Sequence, residues 1–294
     1  MSLSDAIKEP AKGFRGTLGV SVKHLGTGES EDLNGDMIFP TASVFKIPVI
    51  VEFYRQIDDG KISLEQQIVL SERDKVPGSG ILKELTEGLP VSYRDLLSLM
   101  MIVSDNTATD LVVEKVGFDN INNAMRMLGL KDTKVAKYCR QILFDLVGVN
   151  HLEIEEMTLD VFKEAAENND YLGSWSLGIE DNDVSTPNEM RSLLELISKN
   201  EAASSESCLA ILGIMAKCQT GSYRIPKYLP QKEVLLQRKT GSLPGIRNDV
   251  GVVTIKATGE RYALTCFTMG AEDNFEAEEA IAKVSQAVYD YFTA

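Results

Sequence analysis

The chain has 294 residues, of which 44% are hydrophobic and 25% are charged, and its formal net charge is −14. This length allows one large domain or two modest ones, and the composition is that of an ordinary globular protein. Because nucleic acid and anionic membranes repel an acidic surface, neither is expected as the main partner. The sequence contains no run of 18 apolar residues, so no membrane span is predicted.

Few residues are available for metal binding or for thiol chemistry. The four cysteines form no C-x-x-C pair and lie far apart in the sequence; they are Cys139, Cys208, Cys218 and Cys266. The only histidines are His24 and His151, which we expect to be structural or exposed. We therefore predict no metal site, no cofactor, no Ser-His-Asp triad, and thiols that are free and mostly buried.

The first part of the chain predicts a hairpin followed by a buried helix. Residues 15–39 alternate about a Gly-rich turn, which is typical of two paired strands. Residues 47–57 are apolar over most of a helical circumference, so this helix should run through the interior. Thr41 or Ser43 is expected to cap it, with Pro48 in the first turns.

The middle of the chain is predicted to be helical. Helical spacing of apolar residues indicates helices over 93–101, 107–116, 120–128, 153–168, 188–198 and 205–217. The helix at 188 should be capped by Ser185 or Thr186, with Pro187 at its first position.

The C-terminal part predicts strands over 233–242, 249–256 and 261–268 and a final helix over 276–292. The order of elements therefore indicates an α/β protein with two lobes. One lobe, from residues 12–40 and 217–294, would hold an antiparallel sheet flanked by helices and built from both chain ends. Residues 41–216 would form a helical lobe, and the whole chain, 1–294, would be a single catalytic domain.

A hydroxyl and an amine lie three residues apart at the start of the buried helix. Ser43 and Lys46 would share one helical face, where one can act on the other. The positive end of the helix would favour negative charge on the serine, and partial desolvation would lower the pKa of the lysine. Such a pair arises by chance roughly once in a chain of this size, so other motifs must decide its meaning.

Two further motifs follow in order: Ser-Asp-Asn from Ser104 and Lys-Thr-Gly from Lys239. With S-x-x-K they form the motif set of class A β-lactamases and penicillin-binding proteins. The chain therefore resembles the serine penicillin-recognising hydrolases, from about residue 16 to the C-terminal helix. The residues around each motif and the spacing of Ser43 and Ser104 agree with the class A pattern.

This resemblance implies an acyl-enzyme on Ser43, with Lys46 as base or proton relay. Ser104 would pass a proton to the leaving nitrogen, and the backbone N–H groups of Ser43 and Ser242 would form an oxyanion hole. The implied substrate is a β-lactam or a peptide ending in D-Ala-D-Ala. The residues implied in binding it are Asn106, Lys239, Thr240 and Gly241, with Arg224 and Arg247 as further carboxylate ligands or, alternatively, as solvated surface charges.

The resemblance does not extend to the deacylation step. Class A β-lactamases carry a glutamate in a Glu-x-x-Leu-Asn pattern that activates water, and this sequence has no such pattern. The region at about 148–186 is lengthened instead, and its carboxylates, among them Glu167, Asp170 and Glu180, stand in other contexts. Counting back from Pro187 places Asp170 near the expected position, but each of these acids can equally be an ordinary solvated residue.

Three functions remain open from the sequence. The first is a class A-like β-lactamase with an unusual deacylating group, which the compact length and spacing favour. The second is a D,D-carboxypeptidase or esterase of the same fold. The third is a sensor that is acylated by β-lactams and stays acylated, which ranks last without a membrane segment. The family implies a periplasmic or secreted location, although no leader pattern is present, and a monomer is expected by default.

Overall fold

The computed structural model describes residues 2–168, 173 and 181–294. Its helices are α1 Leu3–Lys8, α2 Lys46–Asp58, α3 Tyr93–Ile102, α4 Asn106–Val116, α5 Phe118–Met127, α6 Cys139–Leu146, α7 Leu159–Asn168, α8 Pro187–Ser198, α9 Ser205–Met215 and α10 Asn274–Phe292. Its strands are β1 Thr17–His24, β2 Ser30–Leu33, β3 Phe39–Pro40, β4 Gln67–Val69, β5 Pro90–Ser92, β6 Val184–Ser185, β7 Val234–Leu243, β8 Ile246–Ile255 and β9 Arg261–Met269.

The main sheet has five antiparallel strands in the order β2-β1-β9-β8-β7. Both ends of the chain contribute to it, and the helices from α2 to α9 come between, so the predicted α/β fold class is confirmed. Strands β3 and β6 form a separate short pair, which joins the residues before the buried helix to those before α8. The sheet therefore lies directly beside the N-terminus of the buried helix.

Each face of the sheet packs against a different set of helices. Val250 and Val252 belong to the core shared with helices α2, α3, α4, α8 and α9. Val253 and Ile255, on the opposite face, pack with α1 and with the apolar side of α10. This alternation is the period-two pattern of a strand that is covered on both sides.

The buried helix begins differently from the prediction. A short 3-10 turn, Ala42–Phe45, precedes α2, and no side chain caps either element, so the expected cap by Thr41 or Ser43 is wrong. The Thr41 hydroxyl donates instead to the main-chain oxygen of Asp183, at 2.9 Å. This bond ties the nucleophile segment to β6.

The other predicted helices agree with the structure except in the middle of the chain, and helix α1 was not predicted. Helix α8 begins at Pro187, and Thr186 accepts the N–H of Glu189 at 3.1 Å, as predicted. The predicted helix over 153–168 is divided into a 3-10 turn, Ile154–Glu156, and α7. Helix α6 was not predicted. Within the described ranges, no helix combines the length and the apolar character needed to cross a membrane.

Candidate active site

Strand β7 runs against the backbone of the nucleophile segment. A Cβ atom on Gly241 would lie 2.4 Å from the main-chain oxygen of Thr41 and 3.2 Å from the nitrogen of Ser43. Only glycine allows this approach. Ala42, just before the half-buried Ser43, has φ +45°, a conformation that a non-glycine residue adopts at a cost. The N–H groups of the nucleophile turn and the end of β7 are thus brought side by side.

Asn248 holds this approach in place from the neighbouring strand β8. Its Nδ2 donates to the main-chain oxygens of Pro40 and Thr41, at 2.9 and 3.0 Å. Its Oδ1 accepts the N–H of Thr268 at 2.9 Å, and the side chain is fully buried. The sequence analysis missed this residue, because an asparagine in a strand gives no local sign of a partner some 200 positions away.

Lys46 lies at the centre of the site and has no exposed surface. Its Nζ donates to the main-chain oxygen of Ser104 at 2.8 Å, to the Ser104 hydroxyl at 3.1 Å and to Asn106 Oδ1 at 2.9 Å. Burial lowers the pKa of this amine, which favours the neutral form that can accept a proton.

Lys239 approaches the same hydroxyl from β7. Its Nζ donates to Ser104 Oγ at 3.0 Å and to the main-chain oxygen of Thr240 at 2.8 Å. Burial, helped by the nearby charge of Lys46, lowers the pKa of Lys239 to about 7. The Ser104 hydroxyl therefore lies between two amines and can carry a proton between them and a substrate. The backbone of Ser104 has φ +60°, in the left-handed region that a non-glycine residue adopts at a cost.

The Ser-Asp-Asn turn also shapes the edge of the site. Asp105 caps α4 by accepting the N–H of Ala108 at 2.9 Å, and its other oxygen accepts the N–H groups of Ile81 and Leu82. Asn106 donates from Nδ2 to the main-chain oxygen of Pro77 at 3.0 Å. The Ser-Asp-Asn turn therefore also supports the loop over residues 77–82.

A cavity of about 210 Å³ lies beside Ser43. On one side it is bounded by the nucleophile turn, Asn106 and the end of β7, which contributes Ser242 and Leu243. On the other side it is bounded by helix α6. The described residues that line it are Ala42, Ser43, Phe45, Gly78, Ser79, Asn106, Cys139, Ile142, Leu143, Leu146, Ser242, Leu243 and Pro244.

Helix α6 presents a neutral thiol and three aliphatic side chains to this cavity. Burial raises the pKa of the Cys139 thiol above its ordinary value, although the charge of Lys46 opposes the shift. Asp110 of α4 fixes the start of the helix by accepting the N–H groups of Cys139 and Arg140, at 2.7 and 3.1 Å. The apolar spacing over residues 142–146 was the available sequence signal for this helix.

Two buried carboxyl groups bind the main chain at and just before the start of α6, and neither is in the cavity lining. Burial raises the pKa of Asp110 to about 6 and that of Asp183 to about 7. Asp183 accepts the N–H groups of Ala136 and Lys137 through Oδ1, at 2.7 and 3.1 Å. Its Oδ2 is buried and has no hydrogen-bond partner among the described residues. Both carboxyl groups hold main chain in place.

Three other residues predicted to bind substrate, Thr240, Arg224 and Arg247, do not line the cavity beside Ser43. Thr240 is buried, and its hydroxyl bonds that of Thr220. Arg224 is only 4% exposed, so the alternative of a solvated surface charge is wrong for it. The Arg247 guanidinium donates to main-chain oxygens of its own turn.

None of the acids proposed for deacylation is seen beside Ser43. Glu167 is exposed on α7 and does not line the cavity. Asp170 and Glu180 lie outside the described residues.

Comparisons with known proteins agree with this arrangement. The sequence profile of the beta-lactamase enzyme family matches residues 2–292. Beta-lactamase VEB-1 of Pseudomonas aeruginosa is 25% identical over 302 residues, which cover 99% of this chain and 90% of the relative. A beta-lactamase of Bacteroides uniformis is 26% identical and covers 98% and 90%.

Among solved structures, the crystal structure of beta-lactamase from Sphaerobacter thermophilus superposes with a TM-score of 0.80 at 30% identity. The superposition covers 99% of this chain and 97% of the Sphaerobacter thermophilus chain. The profile match over nearly the whole chain and the shared fold show that the chain belongs to the beta-lactamase enzyme family.

Proposed function

We propose that this protein is a serine hydrolase that is acylated on Ser43 by β-lactams and releases the acyl group slowly. One observation carries the second half of this proposal. The described residues that line the cavity beside Ser43 include no aspartate or glutamate, and Cys139, a neutral thiol, is one of them.

The polar side of the site supports acylation. With its pKa lowered by burial, Lys46 can take the Ser43 proton as Oγ attacks the carbonyl carbon of the lactam ring. The ring C–N bond then breaks, and the leaving nitrogen takes a proton through the Ser104 hydroxyl, which both lysines contact. Main-chain N–H groups of Ser43 and Ser242 would stabilise the oxyanion; each such donor contributes about 3 kcal/mol in comparable sites.

Substrate recognition would rely on the end of β7 and on α4. Lys239 supplies a positive charge for a substrate carboxylate, and the Asn106 side chain can meet a substrate amide at the cavity edge. The aliphatic side chains of α6 would cover the apolar part of the acyl group.

Among the described residues that line the cavity, no comparable group is present for deacylation. An attacking water needs a base to take its proton. The Cys139 thiol cannot serve, because burial holds it protonated. Asp110 and Asp183 are not in the lining of the cavity, and each already accepts two main-chain N–H groups. The acyl group should therefore stay on Ser43 far longer than it takes to form.

Intact mass spectrometry after mixing with penicillin G tests this proposal. Opening the lactam ring expels no atoms, so the protein should gain the mass of one whole penicillin molecule and keep it long after free penicillin is removed. The Ser43→Ala variant should gain nothing. An absent adduct in the wild type, with no hydrolysed penicillin, would rule out β-lactams as acyl donors and favour an esterase or D,D-carboxypeptidase, to be assayed on a small ester and on a D-Ala-D-Ala peptide.

The names of the relatives favour a second candidate, a β-lactamase that turns over rapidly. It would need a base from outside the described residues, and Asp170 is the candidate from the sequence. Hydrolysed penicillin accumulating without a detectable adduct, together with an adduct that persists in Asp170→Asn, would establish this function in place of the first. Asp181→Asn is a control for the loss of a loop carboxylate.

A further inference from the structure

A second cavity lies at the start of helix α6. Its volume is about 280 Å³, and the described residues that line it include none that line the cavity beside Ser43. Tyr138 and Arg140 belong to its wall, whereas Cys139, between them in the sequence, lines the cavity beside Ser43. The volume is near the lower end of the range for small-molecule sites, about 300 Å³. A ligand in this cavity would therefore be small and would not touch the nucleophile.

Arg140 connects the elements around this second cavity and keeps one donor unused. Its Nη2 donates to the main-chain oxygens of Arg73 and Lys75, at 2.6 and 3.4 Å, and its Nη1 donates to that of Ile154 at 3.4 Å. Its Nε is buried and has no hydrogen-bond partner among the described residues. Because a buried N–H without an acceptor is unfavourable, this donor favours the binding of a ligand oxygen. The exposed Arg73 lines the same cavity and adds a second positive charge.

The same wall also carries carboxylates that can accept from a cation. Glu114 and Glu155 are exposed, and neither side chain bonds to another residue in the part of the chain that the structure describes. The two other acids of the lining are already engaged, Asp74 by Ser71 and Asp110 by main-chain N–H groups of α6. The remaining wall includes apolar surface from Leu111, Tyr138 and Ile154.

We propose that this second cavity is a binding site for a free amino acid with an apolar side chain. The carboxylate of the ligand would bind Arg140 and Arg73, and its ammonium group would bind Glu114 and Glu155. Its side chain would contact the apolar part of the wall. A ligand with only one of the two charges would leave the groups of the other sign unpaired. The proposal does not depend on acylation of Ser43.

Three small molecules that share one side chain test the need for both charges. L-Leucine carries both charges, L-leucinamide keeps only the ammonium group, and 4-methylpentanoate keeps only the carboxylate. Ligand-observed NMR titrations of the wild type at about pH 6.5, where the amine of leucinamide is protonated, give the dissociation constants. Leucine should bind at least about tenfold more tightly than either analogue, because each charged group adds bonds to partners of opposite sign. Leucine that binds no more tightly than the analogues, or that shows no saturable binding, would overturn the proposal.

Variants of exposed residues show whether leucine binds in this cavity. Glu114→Gln should weaken leucine and leucinamide by about three- to fivefold, but not 4-methylpentanoate. Arg73→Gln should weaken leucine and 4-methylpentanoate by a similar factor, but not leucinamide. Glu206→Gln is the matched control, since Glu206 is an exposed glutamate of α9 outside the cavity lining, and it should change none of the three constants.

Arg140→Lys tests the buried donor. Lysine keeps the positive charge, but its ammonium group cannot replace the planar set of donors, so leucine should bind about tenfold less tightly and leucinamide should be unaffected. If Arg140→Lys does not fold, the two exposed variants still decide the question, because surface substitutions seldom disturb folding. Equal binding of leucine to the wild type, Glu114→Gln and Arg73→Gln would place leucine elsewhere and contradict the proposal.

Discussion

The two sides of the cavity beside Ser43 differ in what their buried polar groups do. On the nucleophile side, the amines of Lys46 and Lys239 both donate to the Ser104 hydroxyl. On the α6 side, the carboxyl groups lie outside the cavity lining and are used by main-chain N–H groups, while the cavity itself meets aliphatic side chains and one thiol. Under the proposed function, the first side would transfer protons, and the second would cover the apolar part of the acyl group.

The difference also shows in how each side is supported. The nucleophile side depends on main chain brought into close contact by a glycine and held by Asn248. The α6 side depends on Asp110, a carboxylate at a helix N-terminus, where negative charge is favourable. A change on the first side should therefore affect acylation, and a change on the second should affect the lifetime of the acyl group.

The largest effect is expected from removing the amine of Lys46. Lys46→Met keeps most of the buried volume but takes away the base, so acylation by penicillin G should fall by about 10²–10⁴-fold. It also removes the Lys46 hydrogen bonds to the Ser104 main-chain oxygen and to Asn106 Oδ1, at a cost of about 1–3 kcal/mol of unfolding free energy. Adduct formation followed by mass, and urea unfolding, measure the two effects. If Lys46→Met were acylated at the wild-type rate, Lys46 would be excluded as the base.

The next effect concerns the close approach of β7. Gly241→Ala places a methyl group 2.4 Å from the Thr41 carbonyl oxygen, so the strand must move away from Ser43. Acylation should fall by about 100-fold, because the oxyanion donors separate. Gly213→Ala on α9 is the matched control: nothing lies within 4 Å of its added Cβ. It should leave acylation unchanged and raise the unfolding free energy by up to about 1 kcal/mol.

A carboxylate introduced on α6 should supply the base for deacylation that the described cavity lining lacks. Cys139→Glu introduces a base beside the cavity, and general base catalysis is worth about 100-fold or more, so the half-life of the penicillin adduct should shorten by about that factor. Glutamine has the size of glutamate but no basic carboxylate, so the penicillin adduct of Cys139→Gln should last as long as that of the wild type. Equal half-lives for the two variants would mean that this position does not reach the attacking water.

The smallest effect is expected from a change of pH, which tests whether Lys239 binds the substrate carboxylate. Burial lowers its pKa to about 7, so the positive form predominates below that pH and is lost above it. The ratio of acylation by penicillin G to acylation by its methyl ester should fall by roughly tenfold between about pH 6 and pH 8. Any titration of Lys46 acts on both substrates and cancels in the ratio. A ratio that does not change with pH would mean that another group binds the carboxylate.

Much of the fold could be predicted because its signals are local. Alternation predicted the hairpin of β1 and β2 and the strands β7 to β9, and Thr186 with Pro187 predicted the start of α8. The capping of α2 was not predicted correctly, because the Thr41 hydroxyl has a better partner in Asp183, which is distant in sequence. Helix α6 was missed because it has only eight residues and its apolar spacing covers little more than one turn, over residues 142–146.

The sequence by itself determined the family, the fold class and the three motifs, since their residues are close neighbours along the chain or follow a short period. Only the tertiary structure decided what surrounds Ser43. It brought Cys139 into the cavity wall, left the described lining without a carboxylate, and paired Arg224 with Glu278. These contacts join residues far apart in the chain, and the side chains involved have the same local appearance whether they are buried partners or surface charges.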